Sequence, residues 1–146
     1  MDKKEAREIL FTLVYEYEFN GDKSAADIYD NAREERGFEP FRYIKKGLTD
    51  IAQNRDYLAN VIEKNAENWS VGRIAPVTRS ILFIGAYDMI FKSTPAGIAI
   101  NEAVELAKKY DEEASASFIN GILNSIAQNI DEIKAQREAD AKADEE

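Results

Sequence analysis

The sequence contains no cysteine and no histidine among its 146 residues. Without cysteine, disulfides and thiolate chemistry are excluded. Without histidine, imidazole metal ligands are excluded, as is every catalytic triad that uses histidine as its base. Glycine-rich phosphate loops and metal-binding spacings are also missing. We therefore predict a protein that is not an enzyme and has no catalytic residues, no metal site and no cofactor.

Long apolar runs and helix-breaking residues are scarce. No apolar stretch reaches the roughly 18 residues that a membrane span needs, and no signal-peptide core follows the first residues. Only 3 prolines and 7 glycines occur, and runs of β-branched residues are few, which favours helices over strands. These features predict a soluble, cytoplasmic, all-α protein that contacts no membrane.

The charge is distributed unevenly along the chain. The formal net charge is -9, and residues 131–146 are rich in acids and alanine. This acidic total argues against DNA as a partner, although nucleic-acid affinity depends on local basic patches more than on the total. We predict a helical domain over residues 1–134 and a charged, disordered tail over residues 135–146.

The hydrophobic pattern predicts about seven helices around one buried helix. The uncharged run Ile81–Tyr87 leaves a helix no polar face, so we predict a central helix over Pro76–Phe91. The first helix is predicted over Lys3–Phe19, where apolar residues recur at helical spacing. The only tryptophan, Trp69, lies between polar residues near a predicted helix end. A tryptophan in such a place more often closes a core edge than binds a ligand.

Two predicted helices carry a trio of cations on one face. The first helix has Lys3, Lys4 and Arg7, and the third helix has Arg42, Lys45 and Lys46. Each trio can be explained as a solvated helix face. The alternative interpretation of the first trio is a surface patch that binds phosphate. Phe118 and Tyr15 are candidates for stacking on single-stranded RNA, or they are core residues at helical spacing.

Two sequence strings carry information beyond this pattern. Residues 99–108 read AINEAVELAK, and residues 118–123 read FINGIL. Together with the run Pro76–Tyr87, these strings resemble the NusB family of bacterial transcription antitermination factors. The resemblance covers residues 6–127 and implies two three-helix bundles packed around a shared N-terminal helix.

The resemblance also implies a function and its residues. Family members bind boxA-type single-stranded RNA, pair with the ribosomal protein NusE and join the RNA polymerase antitermination complex during ribosomal RNA synthesis. The implied RNA-binding residues are Lys3, Lys4, Arg7, Ser115 and Phe118. The implied partner-binding residues are Tyr15, Thr78 and Arg79.

Departures from the family pattern leave alternatives open. The basic N-terminal segment is thin, and Phe83 and Thr78 stand where the family commonly has an arginine and an acid. Because lost arginines remove phosphate contacts, one alternative is a protein-interaction module that binds NusE with weak or lost RNA recognition. Another alternative is a relative of the domain that is fused to ribosomal RNA methyltransferases. We favour the RNA-binding antitermination factor.

Overall fold

The structure, a computed structural model, describes residues 1–145. These residues form eight α-helices and no strand. The helices are α1 (Lys3–Phe19), α2 (Ala25–Arg36), α3 (Arg42–Gln53), α4 (Arg55–Lys64), α5 (Pro76–Ile90), α6 (Ala96–Tyr110), α7 (Glu113–Gln128) and α8 (Ile130–Glu145). A short 3-10 turn, Val71–Arg73, precedes α5. The all-α prediction is confirmed, with eight helices in place of about seven.

Helix α5 is the centre of the fold. It contacts α1, α3, α4, α6, α7 and α8, and every residue from Ser80 to Ile90 is buried. A helix that is apolar on all sides is stable in water only where other helices cover it. The predicted central helix is confirmed, and it begins at Pro76, whose fixed φ suits a first helical turn.

The helices form two groups that α1 connects. Helices α1, α2 and α3 contact one another in the first group, and α5, α6 and α7 contact one another in the second. Helix α1 also packs against α5, and its buried stripe includes Leu10, Leu13 and Val14. The predicted arrangement of two three-helix bundles around the N-terminal helix is confirmed.

Local side-chain chemistry determines where the first two helices begin and end. Asp2 accepts a hydrogen bond from the Glu5 backbone N–H at 2.8 Å, and Ser24 accepts one from the Asp27 N–H at 3.1 Å. These caps satisfy N–H groups that have no partner inside the helix. Gly37 ends α2 with a φ of 68°, a left-handed conformation that glycine adopts without strain.

The C-terminal part differs from the prediction of a disordered tail over residues 135–146. Helix α7 ends before Asn129, and α8 continues to Glu145. Residues 135–145 are rich in alanine, the strongest helix former, and the Arg137 guanidinium lies 3.8 Å from the Phe91 ring centroid. Residues 135–145 are thus part of α8, whereas Glu146 lies outside the described residues, and the charged, disordered tail stays a prediction. The division of the chain at residue 134 stays a prediction.

Two further features are absent from residues 1–145. None of the helices in this range combines the length and the apolar character that crossing a membrane requires. The same residues bring together no group of three or more acidic side chains that could hold a metal ion.

Candidate nucleic-acid and partner interfaces

Arg7 does not lie on the surface where the sequence predicts it. Only 4% of the residue is exposed, and its Nε donates a hydrogen bond to Asp88 Oδ2 at 2.9 Å. Its Nη1 lies 3.7 Å from a carboxylate oxygen of Glu102. Asp88 is fully buried and also accepts a hydrogen bond from the Tyr43 hydroxyl at 2.8 Å. The predicted trio of exposed cations is therefore corrected, because Arg7 is bonded inside the fold and offers a phosphate little surface.

The protonation states of this network favour the ion pair. Burial by itself lowers the pKa of Arg7, but the Asp88 carboxylate raises that pKa above its ordinary value. Burial and the same carboxylate raise the pKa of Tyr43, so the phenol stays protonated and donates to Asp88. A charge is tolerated in a protein interior where an opposite charge and hydrogen bonds surround it. Arg7 is thus an internal counter-ion that ties α1 to α5.

Lys3 and Lys4 are exposed, as the sequence predicts. The Lys3 Nζ lies 4.1 Å from the centroid of the Tyr43 ring, which places this lysine beside the start of α3. Burial lowers the pKa of Lys3, and Asp88 acts in the opposite direction. Lys4 lines a cleft of about 390 Å³ between α1 and α6. Two cations of the predicted trio therefore remain available at the N-terminal end of α1.

The cleft between α1 and α6 is lined by side chains of both charges. Its lining includes the carboxylates of Glu8, Glu102 and Glu105 as well as cations. Glu8 accepts hydrogen bonds from Lys109 and Tyr110, and these bonds lower the pKa of Glu8. A phosphate entering the cleft would therefore meet fixed negative charge, so the cleft itself is not a basic patch.

Ser115 and Phe118 lie together at the other end of α5. Both side chains are half-buried, and they line a depression of about 340 Å³ with Thr78, Arg73 and Trp69. The rings of Phe118 and Trp69 meet edge to face, with centroids 5.6 Å apart and planes at 71°. The depression therefore places two aromatic rings next to an exposed cation, Arg73.

The predicted RNA-binding residues do not form one compact cluster. Lys3 lies near Asp88, whereas Ser115 and Phe118 lie near Thr78, at the opposite end of α5. At a rise of about 1.5 Å per residue, these two ends are about 15 Å apart along the helix axis. The structure thus brings Ser115 and Phe118 together and leaves Lys3 and Lys4 as a separate site.

Trp69 is a candidate residue that the sequence interpretation missed. The sequence predicts that it closes a core edge, but 47% of the residue is exposed. Glu67 and Asn68 have φ values of 33° and 66°, and this left-handed turn precedes the indole. Lys64 lines a second depression, of about 490 Å³, which shares Trp69 and Phe118 with the first. The run Asn68-Trp69-Ser70 already indicates that the indole is exposed, because a tryptophan between polar residues does not belong to an apolar helix stripe. We call Lys64, Trp69, Arg73, Ser115 and Phe118 the Trp69–Phe118 surface.

Tyr15 belongs to a row of aromatic rings along α1. Ring centroids are 4.9 Å apart for Tyr110 and Phe11, 6.5 Å for Phe11 and Tyr15, and 4.9 Å for Tyr15 and Phe19. Phe19 is 60% exposed and Tyr110 is 39% exposed. The exposed rings lie at the two ends of the row, with the buried Phe11 and the half-buried Tyr15 between them. Aromatic residues are enriched at protein interfaces. We call these four rings the aromatic row.

Thr78 and Arg79, the other predicted partner residues, are engaged inside the molecule. The Thr78 hydroxyl donates to Asp111 Oδ2 at 2.6 Å, and the residue is 5% exposed. The Arg79 Nε donates to Glu18 Oε1 at 2.6 Å. Because Asp111 follows Tyr110 in the chain, Thr78 adjoins the end of the aromatic row. Of the three predicted partner residues, Tyr15 is therefore the one with exposed apolar neighbours.

Comparisons with known proteins show which family the chain resembles. The sequence model described as the NusB family matches residues 4–128. The transcription antitermination protein NusB of Clostridium acetobutylicum is 35% identical over 135 residues, which cover 90% of this chain and 99% of that protein.

Solved structures share the fold as well. NusB of T. maritima has a TM-score of 0.76 and 28% identity, covering 88% of this chain and 92% of its own. Another similar chain comes from a complex of the antitermination factors NusB and NusE with double-stranded RNA. Its TM-score is 0.78 and its identity 26%, and the match covers 86% of this chain and 96% of that chain. Sequence and fold lead to one conclusion: the chain belongs to the NusB family.

Proposed function

We propose that this protein is an RNA-binding transcription antitermination factor that acts with a NusE-type ribosomal protein on boxA-like RNA. The observation that carries the proposal is the exposed Trp69–Phe118 surface, on a chain that matches the NusB family over residues 4–128. In this function the protein joins the RNA polymerase antitermination complex, supports ribosomal RNA transcription and works in the cytoplasm, where bacterial transcripts are made. The proposal assigns no catalytic step.

The Trp69–Phe118 surface provides the chemistry that single-stranded RNA requires. Bases stack on exposed aromatic rings with about 1–3 kcal/mol per base. Arg73 and Lys64 are exposed beside the rings and supply positive charge for phosphates. Ser115 adds a hydroxyl at the start of α7.

Lys3 and Lys4 form the second part of the proposed RNA path. They lie about 15 Å from the Trp69–Phe118 surface along α5. An RNA of only a few nucleotides therefore contacts one end, and a longer RNA contacts both. Arg7 contributes indirectly, since it holds the first turns of α1 against α5 through Asp88.

The aromatic row is the proposed partner surface. Tyr15 is half-buried between the buried ring of Phe11 and the exposed ring of Phe19. A partly buried aromatic anchor of this kind is typical of the centre of a protein interface. The net charge of -9 complements a basic ribosomal protein and accelerates encounter with it. One related solved structure contains NusB, NusE and RNA together, which supports a three-component assembly.

A titration of boxA-like RNA with and without NusE tests the function. We expect weak binding by the protein alone and at least tenfold tighter binding by the heterodimer, since the basic partner adds phosphate contacts. Trp69→Ala should weaken RNA binding about tenfold, within the stacking range of about 1–3 kcal/mol.

Phe19→Ala is the matched control, because it removes an exposed ring of the aromatic row instead. It should weaken NusE binding and leave RNA binding by the isolated protein unchanged. Equal RNA affinity with and without NusE, together with no effect of Trp69→Ala, would contradict the proposal.

A second candidate is a module that binds NusE with weak or lost RNA recognition. The burial of Arg7 favours it, because one cation of the predicted N-terminal trio is withdrawn from the surface. In that case Tyr15→Asp abolishes the heterodimer, whereas RNA assembly is insensitive to Trp69→Ala and to charge reversal at Lys3 and Lys4.

A further inference from the structure

A second concave surface lies between α2 and α3, on the first helical group. We call it the α2–α3 groove. It has a volume of about 500 Å³ and is lined chiefly by Tyr29, Pro40, Phe41, Arg42, Lys45 and Lys46. None of these residues belongs to the Trp69–Phe118 surface or to the aromatic row. No acidic side chain lines the groove, although the chain as a whole has a net charge of -9.

The floor of the groove is apolar. Tyr29 is 5% exposed, and its ring packs edge to face against Phe38 at 6.1 Å. Phe41 is half-buried and precedes α3. The hydroxyl of Thr49, the polar group at one side, already donates to the Lys45 carbonyl at 2.9 Å. The floor therefore accepts an apolar side chain and offers few free hydrogen-bonding groups.

The rim of the groove is cationic. Arg42, Lys45 and Lys46 are exposed within the first turns of α3. Lys46 lies 3.3 Å from Asp50 in an exposed pair one helical turn apart, which is a weak interaction. Lys45 lies 5.8 Å from the Tyr29 ring centroid. These side chains remain free to reorient toward an incoming carboxylate.

We propose that the α2–α3 groove docks an acidic segment of another protein, with an aromatic or aliphatic anchor in the floor and flanking carboxylates on the rim. Arginine pairs with carboxylates in a two-bonded geometry, and a buried apolar anchor supplies most of the energy of a small interface. Charge complementarity selects an acidic partner and excludes a basic one. This inference is independent of the RNA-binding function.

The groove suits a peptide better than RNA. Single-stranded RNA gains affinity from exposed aromatic faces, but the Tyr29 ring is buried and Lys45 lies over it. The polar donors and acceptors that read base edges are also scarce in the floor. An apolar groove with a cationic rim is instead complementary to a peptide in which apolar anchors alternate with carboxylates.

The test uses NMR and a synthetic peptide in which a leucine–phenylalanine pair is flanked by aspartates. Added to the full chain up to millimolar concentration, the peptide should shift the amide resonances of Tyr29, Phe41 and Thr49. A peptide with serines in place of the leucine–phenylalanine pair tests the anchor, and one with asparagines in place of the aspartates tests the charge. Each change should weaken binding at least fivefold.

Protein variants test the same contacts from the other side. Arg42→Glu combined with Lys45→Glu should weaken the peptide at least tenfold. Both residues are exposed in the first turn of α3, where acids favour the helix, so the fold should persist. The matched control reverses two exposed charges elsewhere, Lys23→Glu and Lys142→Glu, and should leave peptide affinity within twofold.

Three results would overturn the proposal. The first is the absence of shifts in the groove at millimolar peptide. The second is an equal loss of peptide affinity in the groove variant and the control variant. The third is an oligouridine that shifts the same amides and displaces the peptide, which would make the groove an RNA surface.

Discussion

Arg7 and Asp88 show how one side chain is fixed by a partner far away in the chain. The guanidinium and the carboxylate are both buried, and Tyr43 donates to the same carboxylate. Replacing one partner of a buried ion pair leaves the other charge buried and unpaired. The resulting loss of stability is far larger than the net stabilisation that the intact pair provides. The residue expected to bind phosphate is therefore a determinant of stability.

We predict that Arg7→Met lowers the free energy of unfolding by about 3–5 kcal/mol, because Asp88 becomes a buried charge without its counter-ion. Adding Asp88→Asn should recover part of this loss, since the amide oxygen still accepts from Tyr43 without a charge. Urea titrations followed by circular dichroism give the comparison.

Lys4→Met serves as the surface control for Arg7→Met, because Lys4 is exposed on the same helix. It should change the free energy of unfolding by less than about 0.5 kcal/mol. Equal stability of Arg7→Met and the double variant would contradict the role given to the ion pair.

At the scale of elements, Gly85 of α5 lies directly against Leu123 of α7. A Cβ atom built at this position would lie 2.6 Å from Leu123 Cδ1, closer than carbon atoms tolerate. The absent side chain is what allows the two helices to pack, so Gly85 is a packing residue in a helix where glycine is otherwise unfavourable.

Gly85→Ala should destabilise the protein by about 1–3 kcal/mol, because overpacking forces α7 or Leu123 to move. Gly121→Ala is the natural comparison, since no atom lies within 4 Å of a Cβ at that exposed position of α7. It should stabilise the protein by about 0.5–1 kcal/mol through helix propensity. Thermal unfolding distinguishes the two, and a shift of both variants in the same direction would contradict the packing argument.

Periodicity explains which elements could be predicted. Helix α1 has the bounds expected from its apolar stripe, and α5 follows from a run without charge. A helical wheel places Arg7 on a flank but cannot reveal Asp88, because that contact depends on tertiary packing. Composition alone favoured disorder after residue 134, whereas helix propensity and the Arg137–Phe91 contact extend α8. The resemblance named Phe118, and only the fold places Trp69 beside it.

Across the whole molecule, one carboxylate connects three helices. Glu18 of α1 accepts hydrogen bonds from Arg55 of α4 at 2.7 and 2.8 Å and from Arg79 of α5 at 2.6 Å. Burial raises the pKa of Glu18, but the two guanidiniums outweigh burial and hold the pKa below its ordinary value. The junction therefore depends on the ionised form of this side chain.

This pKa shift predicts how stability depends on pH. Since Glu18 has a lower pKa in the folded than in the unfolded state, the unfolded state binds more protons. The stabilisation is complete above the ordinary glutamate pKa of about 4.3 and is lost as the pH falls through the lower folded value. Glu18→Gln should thus be less stable than the parent at neutral pH, with a difference that shrinks on acidification. Chemical denaturation at a series of pH values measures it, and a constant difference would contradict the linkage.

The Arg7–Asp88 contact also has a consequence for the order of synthesis. Its two residues are 81 positions apart, and translation delivers α1, α2 and α3 before α5 leaves the ribosome. Until α5 is available, Arg7 lacks its partner Asp88, and the face of α1 that packs on α5 is exposed to solvent. A stalled nascent chain that lacks α5 therefore exposes an apolar surface to chaperones and proteases, and completion of α5 closes it.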